Sequence, residues 1–260
     1  MGSQQLKPQY STWIRSRKVI IFTLLAAVSL VGVFFAPISG FFLLFLVPFV
    51  IFGYILVIML ASIYWFSAWG GNYQNKVHDL LLLKVPSVGT ILDIGCGSGN
   101  LAIACAKGSK QRIVQGLDYW GKNWEYSKMQ CEENARLEGV SNQVSFKQGT
   151  ASHLPYDNKS MDAVASCLTF HEVKDIGDKT VCLTEALRVL KPGGVFVFFD
   201  LFNNRAIYPE LQMIIDKIEQ AGGIIDENYA IGKYLKLPFP LTQKKVLGYG
   251  QLIFGWKNKI

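Results

Sequence analysis

Residues Ile91 to Asn100, ILDIGCGSGN, decide the fold. A short apolar run carries a carboxylate, Asp93, and then meets Gly95, Gly97 and Gly99, spaced two apart around Cys96 and Ser98. Glycine tolerates left-handed backbone and lets the main chain approach a ligand closely, so a strand ending in such a run predicts a sharp turn against a nucleotide-type ligand. A dinucleotide fingerprint reads G-x-G-x-x-G, whereas here the third glycine comes one residue early. That weakens the reading as a pyrophosphate site.

Working outward, Leu101 to Lys107 is a short apolar helix start, and Arg112 to Leu117 is a second strand closed by Asp118. An ionised carboxylate at that strand end is placed to accept both hydroxyls of a ribose. Tyr119 and Trp120 follow; flat side chains there can cover an adenine face or simply cap the sheet edge.

At this point the chain resembles a known family. DIGCGSGN, the acid in GLDYW, the stretch GTASHLPYDNKSMDAVASCLTFHEV and RVLKPGGVFVFFD resemble, in order and spacing, the class I S-adenosylmethionine-dependent methyltransferases, closest to their quinone and sterol branch. The resemblance runs from about Asn72 to Lys257. It implies a Rossmann-like α/β fold with a seven-stranded, mostly parallel sheet, helices on both faces and an antiparallel last strand. It also implies a cofactor site: Asp93 with the backbone of Gly95, Cys96, Gly97 and Gly99 for the methionine and ribose, and Asp118 with Tyr119 beyond it. Thr150 and Ala151 are implied at the adenine edge, and Cys167 or Leu168 beside the methionine moiety. Many relatives carry Asp where this chain has Thr150, which brings a hydroxyl but no charge.

The remaining pattern fits. Glu132 to Glu138 reads as a helix stopped at Gly139, while Val144 to Lys147, Ala163 to Ser166 and Val195 to Phe199 are the short apolar runs of a buried parallel sheet. A helix is expected over Pro209 to Ala221, then a strand after Gly222 and Gly223, and a last strand over Tyr249 to Trp256.

The front of the chain is different. Half of the 260 residues are hydrophobic, and no charged residue occurs from Val19 to Asn75. A charge at mid-bilayer costs about 2.5 to 3.5 kcal/mol on insertion scales, so a charge-free run of this length is what a lipid solvent would select. Pro37, Ser39 and Gly40 divide it into about Val19 to Ala36 and Phe41 to Phe66. The expected organisation is a basic cytoplasmic tail over 1–18, two transmembrane helices forming a hairpin over 19–69, and a methyltransferase domain over 70–260. Pro48 should kink the second helix, and Tyr64, Trp65 and Trp69 suit an interfacial aromatic belt. A re-entrant hairpin remains an alternative for the short first segment. A cleaved leader ending near Ala36 would still leave the second run as an anchor.

The net charge of +7 owes Lys7, Arg15, Arg17 and Lys18 to the tail, with Lys76 and Lys84 after the second span. The positive-inside rule then places both ends and the catalytic domain in the cytoplasm, where the tail can touch anionic lipid. Without a zinc-finger spacing, a basic helix or the Pro-Pro-aromatic motif of base methylation, no nucleic-acid partner is expected. Five cysteines without a C-x-x-C pair and three scattered histidines predict a reducing compartment and no metal.

A sulfonium methyl is already electrophilic, so a base is needed only when the acceptor keeps a proton. His171 and Glu172 are the catalytic candidates, the alternative being a polar pair that caps a helix beginning near Asp175. With only a short tether between the second span and the domain, a lipid or isoprenoid acceptor leads, and the apolar Tyr234 to Leu241 segment can cover it or touch the bilayer. The alternatives are a membrane-tethered NAD(P)-dependent oxidoreductase or a non-catalytic S-adenosylmethionine-binding module.

Overall fold

The computed structural model describes residues 6–121 and 124–259; residues 1–5 of the expected tail and residues 122, 123 and 260 of the expected domain lie outside them. The chain divides into two compact units, one of residues 11–76 and 238–241, the other of 1–10, 77–237 and 242–260.

The first unit contains α1 (Ser16–Phe34) and α2 (Leu46–Phe66), joined through a 3₁₀ turn over Gly40–Phe45 and packed side by side. Ser39 opens that turn, its hydroxyl accepting from the Phe41 amide at 3.4 Å. Both helices are long and apolar enough to cross a membrane. Neither has a polar face, and Leu24, Val28, Phe34, Val50 and Val57 are all exposed. A helix apolar all round is stable only where its surface meets something other than water. The second segment is not one α-helix from Phe41, because its first residues form the 3₁₀ turn over Gly40–Phe45 and the α-helix starts at Leu46. Nor does Pro48 kink it: the proline sits in the first turn of α2, where its missing N–H is one the helix would leave unpaired anyway. At the far end, the Trp65 indole donates to the Phe239 carbonyl at 3.0 Å, and Trp13 packs edge-on against Phe66.

After α3 (Tyr73–Leu82) comes the alternation β1 (Gly89–Ile94), α4 (Asn100–Lys107), β2 (Arg112–Asp118), α5 (Lys128–Leu137), β3 (Val144–Gln148), β4 (Met161–Cys167), α6 (Thr180–Val189), β5 (Leu190–Asp200), α7 (Leu211–Gln220), β6 (Gly223–Ala230) and β7 (Gln251–Lys257). The sheet order is β3-β2-β1-β4-β5-β7-β6. The first five strands are parallel, and β7 runs antiparallel to both of its neighbours. This is the Rossmann-like, seven-stranded sheet that the motifs implied.

The core explains the strand sequences. Leu92, Ile94, Val164, Phe196 and Phe198 are fully buried, as expected of strands covered on both faces. Phe198 packs edge-on against Phe170 and is stacked on Phe196. In α7, Ile214 and Ile218 lie one turn apart on the buried side. The helix expected near Asp175 begins at Thr180 instead: Asp178 accepts from both the amide and the hydroxyl of Thr180, so the turn chemistry lies three residues later.

Strand order reverses between β1 and β4, each of which continues outward on its own side. In open α/β sheets ligands bind at such a point, beyond the carboxyl ends of the strands. The ends of β2, β1, β4 and β5 are neighbours there, and they carry Asp118, Asp93, Cys167 and Asp200.

Candidate active site

The glycine turn is built as its sequence demands. Gly95, Gly97 and Gly99 have φ of 78°, 57° and 85°, all in the left-handed region. A Cβ at Gly95 would also overlap the Thr169 side chain. Gly99 caps α4, and the Gly95 and Cys96 amides both donate to the Leu117 carbonyl, at 2.7 and 3.0 Å.

Asp118 locks this turn from the adjacent strand. One of its oxygens accepts from the Gly97 amide and the other from the Trp120 amide, each at 2.9 Å. A carboxylate oxygen can accept more than one donor, so both remain able to take a ribose hydroxyl. Burial raises the pKa of Asp118 against the pull of these backbone donors. Tyr119 is largely exposed, and Trp120 turns its indole N–H onto the Gly97 carbonyl at 2.9 Å.

Asp93 is the least comfortable group in the site. It is 2 % exposed, and its Oδ2 has no hydrogen-bond partner among the described residues. Burial, and then the neighbouring Asp118 charge, push its pKa up to about 7. A buried carboxylate oxygen left unpaired beside a glycine cradle fits a ligand that brings donors and positive charge, such as an amino group. The cradle and the orphaned oxygen therefore suit the methionine end of S-adenosylmethionine.

The adenine-edge expectation meets a neighbour the motifs did not assign. The hydroxyls of Thr150 and Ser152 reach the same oxygen of Asp175, at 2.7 and 2.6 Å, so the charge that Thr150 lacks enters this corner from another loop. Ala151 is buried beside them. Cys167 ends β4 in the core, and Leu168 takes the left-handed φ of 52° that turns the chain into a 3₁₀ turn over Phe170–Glu172.

That turn presents His171 and Glu172. The His171 ring Nδ1 lies 2.6 Å from Asp200 Oδ1, its backbone amide 3.3 Å from Asp200 Oδ2, and its Nε2 3.8 Å from Glu172 Oε1. The sequence reading gave no place in the site to Asp200, Asp175 or Thr169. Asp200 was visible as the acid closing FVFFD, and nothing local tied it to a histidine. Asn134 was missed as well: fully buried on α5, it accepts from the Gln9 amide at 2.8 Å and donates to the carbonyls of Gln9 and Ser98 at 2.9 and 3.0 Å. Among the described residues, no group of His, Cys, Asp and Glu is arranged to hold a metal ion.

A strand, an acid, a glycine turn and a second acid at adjacent carboxyl ends define a nucleoside-binding α/β domain. Residues 92–198 match the methyltransferase domain family, and over this part the chain is similar to the class I S-adenosylmethionine-dependent methyltransferases of the small-molecule branch. The chain is 32% identical over 114 residues to a ubiquinone/menaquinone biosynthesis C-methyltransferase of Bartonella tribocorum, covering 44% of this chain and 41% of that one. It is 33% identical over 140 residues to cycloartenol-C-24-methyltransferase of Arabidopsis thaliana, covering 52% and 39%. The chain thus spans about two fifths of the length of these curated relatives. Its fold matches a geranyl diphosphate C-methyltransferase from Streptomyces coelicolor with a TM-score of 0.57 at 14% identity, over 76% of this chain and 82% of that one.

Proposed function

We propose that this protein is a membrane-anchored methyltransferase that moves the methyl group of S-adenosylmethionine to a small lipidic or isoprenoid acceptor. The observation that carries the transfer is the orphaned Asp93 oxygen beside a glycine turn held by Asp118. When bound, the cofactor supplies a methyl carbon already activated by a sulfonium.

The chain's own residues do the rest. Asp93 and the backbone from Gly95 to Gly99 hold the methionine end, with Cys96 packed beneath them and Cys167 and Leu168 alongside. Asp118 takes the ribose, with Tyr119 beside it, and Thr150 and Ala151 line the adenine edge. His171 and Glu172 act as the catalytic pair, the histidine taking a proton from the acceptor and Glu172 standing beside its Nε2. Holding two reactants in line is worth much of the acceleration in such a transfer.

Two exposed apolar helices support the lipidic part of the reading. Trp69 is 91 % exposed and Phe239 is 63 % exposed in the same unit, as suits side chains that meet a bilayer interface. Only six residues separate α2 from α3, a reach of about 20 Å at full extension. Residues 1–18 then serve as a cytoplasmic basic tail, 19–69 as the hairpin and 70–260 as the catalytic domain. The quinone, sterol and isoprenoid names of the relatives agree with a lipidic acceptor.

The test supplies methyl-labelled S-adenosylmethionine to the detergent-purified chain together with extracted membrane lipids or with water-soluble metabolites. Label should enter the organic phase. Label found only in the aqueous pool removes the lipid acceptor, and heat of binding with NADH but not with S-adenosylmethionine removes the methyltransferase.

A further inference from the structure

Resting on that reading, we infer that Asp200 is a positioning residue that holds His171 with Nδ1 protonated and Nε2 turned to the acceptor, so the acceptor is one that loses a proton during transfer. Its class is a hydroxyl, phenol or enolic carbon acid, since a carboxylate or thiolate would need no base.

The argument starts from burial. Asp200 closes β5 at 1 % exposure, and a carboxylate there is costly unless paired. Leu201 donates its amide to Oδ1 at 2.6 Å, and the His171 amide reaches Oδ2 at 3.3 Å. Among the described residues, His171 is the one basic side chain in ion-pair range of Asp200. An imidazole carries charge only after taking up a proton, so this buried carboxylate is fully paired only when His171 acts as a base. The contact at Nδ1 assigns the two ring nitrogens: Nδ1–H donates to Asp200, which leaves Nε2 as the basic one.

Other groups around the pair reinforce this. Glu172 Oε1 stands 3.8 Å from Nε2, on the side where a new positive charge would develop. Tyr208, behind Asp200, is held protonated by burial and by the Asp200 charge, as are Cys167 of β4 and Cys182 of α6 chiefly by burial. None of them competes for the proton near neutrality. His171 is itself 16 % exposed, at the end of β4 where the methyl acceptor must approach the cofactor site.

The step balances. As the acceptor's oxygen or carbon forms its bond to the methyl carbon, its proton passes to Nε2, and the sulfur leaves with the electron pair of the broken C–S bond as a neutral thioether. The imidazolium stays paired with Asp200 and Glu172 until water takes the proton.

The test compares the full chain with Asp200→Asn and His171→Gln in lipid nanodiscs, using tritiated S-adenosylmethionine and an organic extract of the producing cells' membranes from about pH 5 to about pH 9. Calorimetry with S-adenosylmethionine and NMR of isotope-labelled histidine run alongside. Asp200→Asn should lower the plateau rate on the order of 10²-fold and move the acid limb down by about one pH unit, with cofactor affinity unchanged. His171 should show the Nδ1–H tautomer in the parent and a mixture in Asp200→Asn. Should Asp200→Asn fail to fold, His171→Gln carries the kinetic test, and it should abolish the acid limb. Either variant retaining the parent's rate and pH profile, or a parent His171 protonated at Nε2 alone, overturns the inference. A parent that binds the cofactor yet labels nothing in the extract overturns the proposed function instead, and the tautomer still decides the role of Asp200.

Discussion

The Asp118 carboxylate accepts the Gly97 amide at 2.9 Å, so the acid closing the second strand holds the turn that closes the first. Two parts of a cofactor site are thereby one mechanical unit. Charge-assisted hydrogen bonds contribute about 1.5 to 3 kcal/mol each, and Asp118→Ala removes two of them as well as the ribose acceptor. Calorimetry should show affinity for S-adenosylmethionine lowered by about 10²-fold or more. Membrane extraction of the variant should match the parent. An unchanged affinity would mean that the ribose lies elsewhere.

Gly95→Ala tests the cradle itself. The site combines a φ of 78° with overlap of any Cβ on Thr169, which itself bonds the Ile94 carbonyl at 3.1 Å. Left-handed strain and overpacking each cost about 1 to 3 kcal/mol. Urea unfolding of the variant should show a loss in that combined range together with loss of cofactor binding. Gly139→Ala makes a useful contrast, because its φ of 71° is similar but a Cβ there meets nothing within 4 Å, leaving only the strain.

Asp93 makes stability depend on pH with a definite sign. Its carboxyl titrates near the ordinary aspartate value of 3.8 when unfolded, while burial and the Asp118 charge push it up to about 7 when folded, so between these values the folded state binds the extra proton. This contribution to stability is present below about pH 4 and is lost as pH rises through about 7. Asp93→Asn removes the burden, and at pH 8 the cofactor-free variant should be more stable than the parent by an amount on the order of 4 kcal/mol. The gap should close on acidification, as thermal unfolding across pH would record. A variant less stable than the parent at pH 8 would show that Asp93 has a partner in solution.

The hairpin is tested by charge. Val28 and Val57 are exposed near the middle of α1 and α2, and a lysine at each would add about 2.5 to 3.5 kcal/mol to insertion. The doubly substituted chain should move from the carbonate-resistant membrane pellet to the supernatant, while the parent stays in the pellet. A parent released by carbonate would end the anchored reading.

Much of this was legible in one dimension because it is local. A glycine that must adopt positive φ, an acid at a strand end and an apolar run of strand length depend on near neighbours, and ILDIGCGSGN and GLDYW carry all three. Boundaries slipped where a competing local preference won. Pro48 reads as a kink until the 3₁₀ turn over Gly40–Phe45 places it in a first helical turn. The Asp175 helix start gave way to the Asp178 and Thr180 pair.

By itself, then, the sequence determined the strand and helix alternation, the cofactor-side acids and glycines, and the charge-free run before the domain, since each is written in residue type and short spacing. Only the tertiary structure decided who meets whom across the site. His171 and Asp200 are 29 positions apart, Thr150 and Asp175 are 25 apart, and Asn134 and Gln9 are 125 apart. The first pair forms because the sheet order sets β4 beside β5, and the other two join segments that only the folded chain brings together; no periodicity along the chain encodes such adjacency.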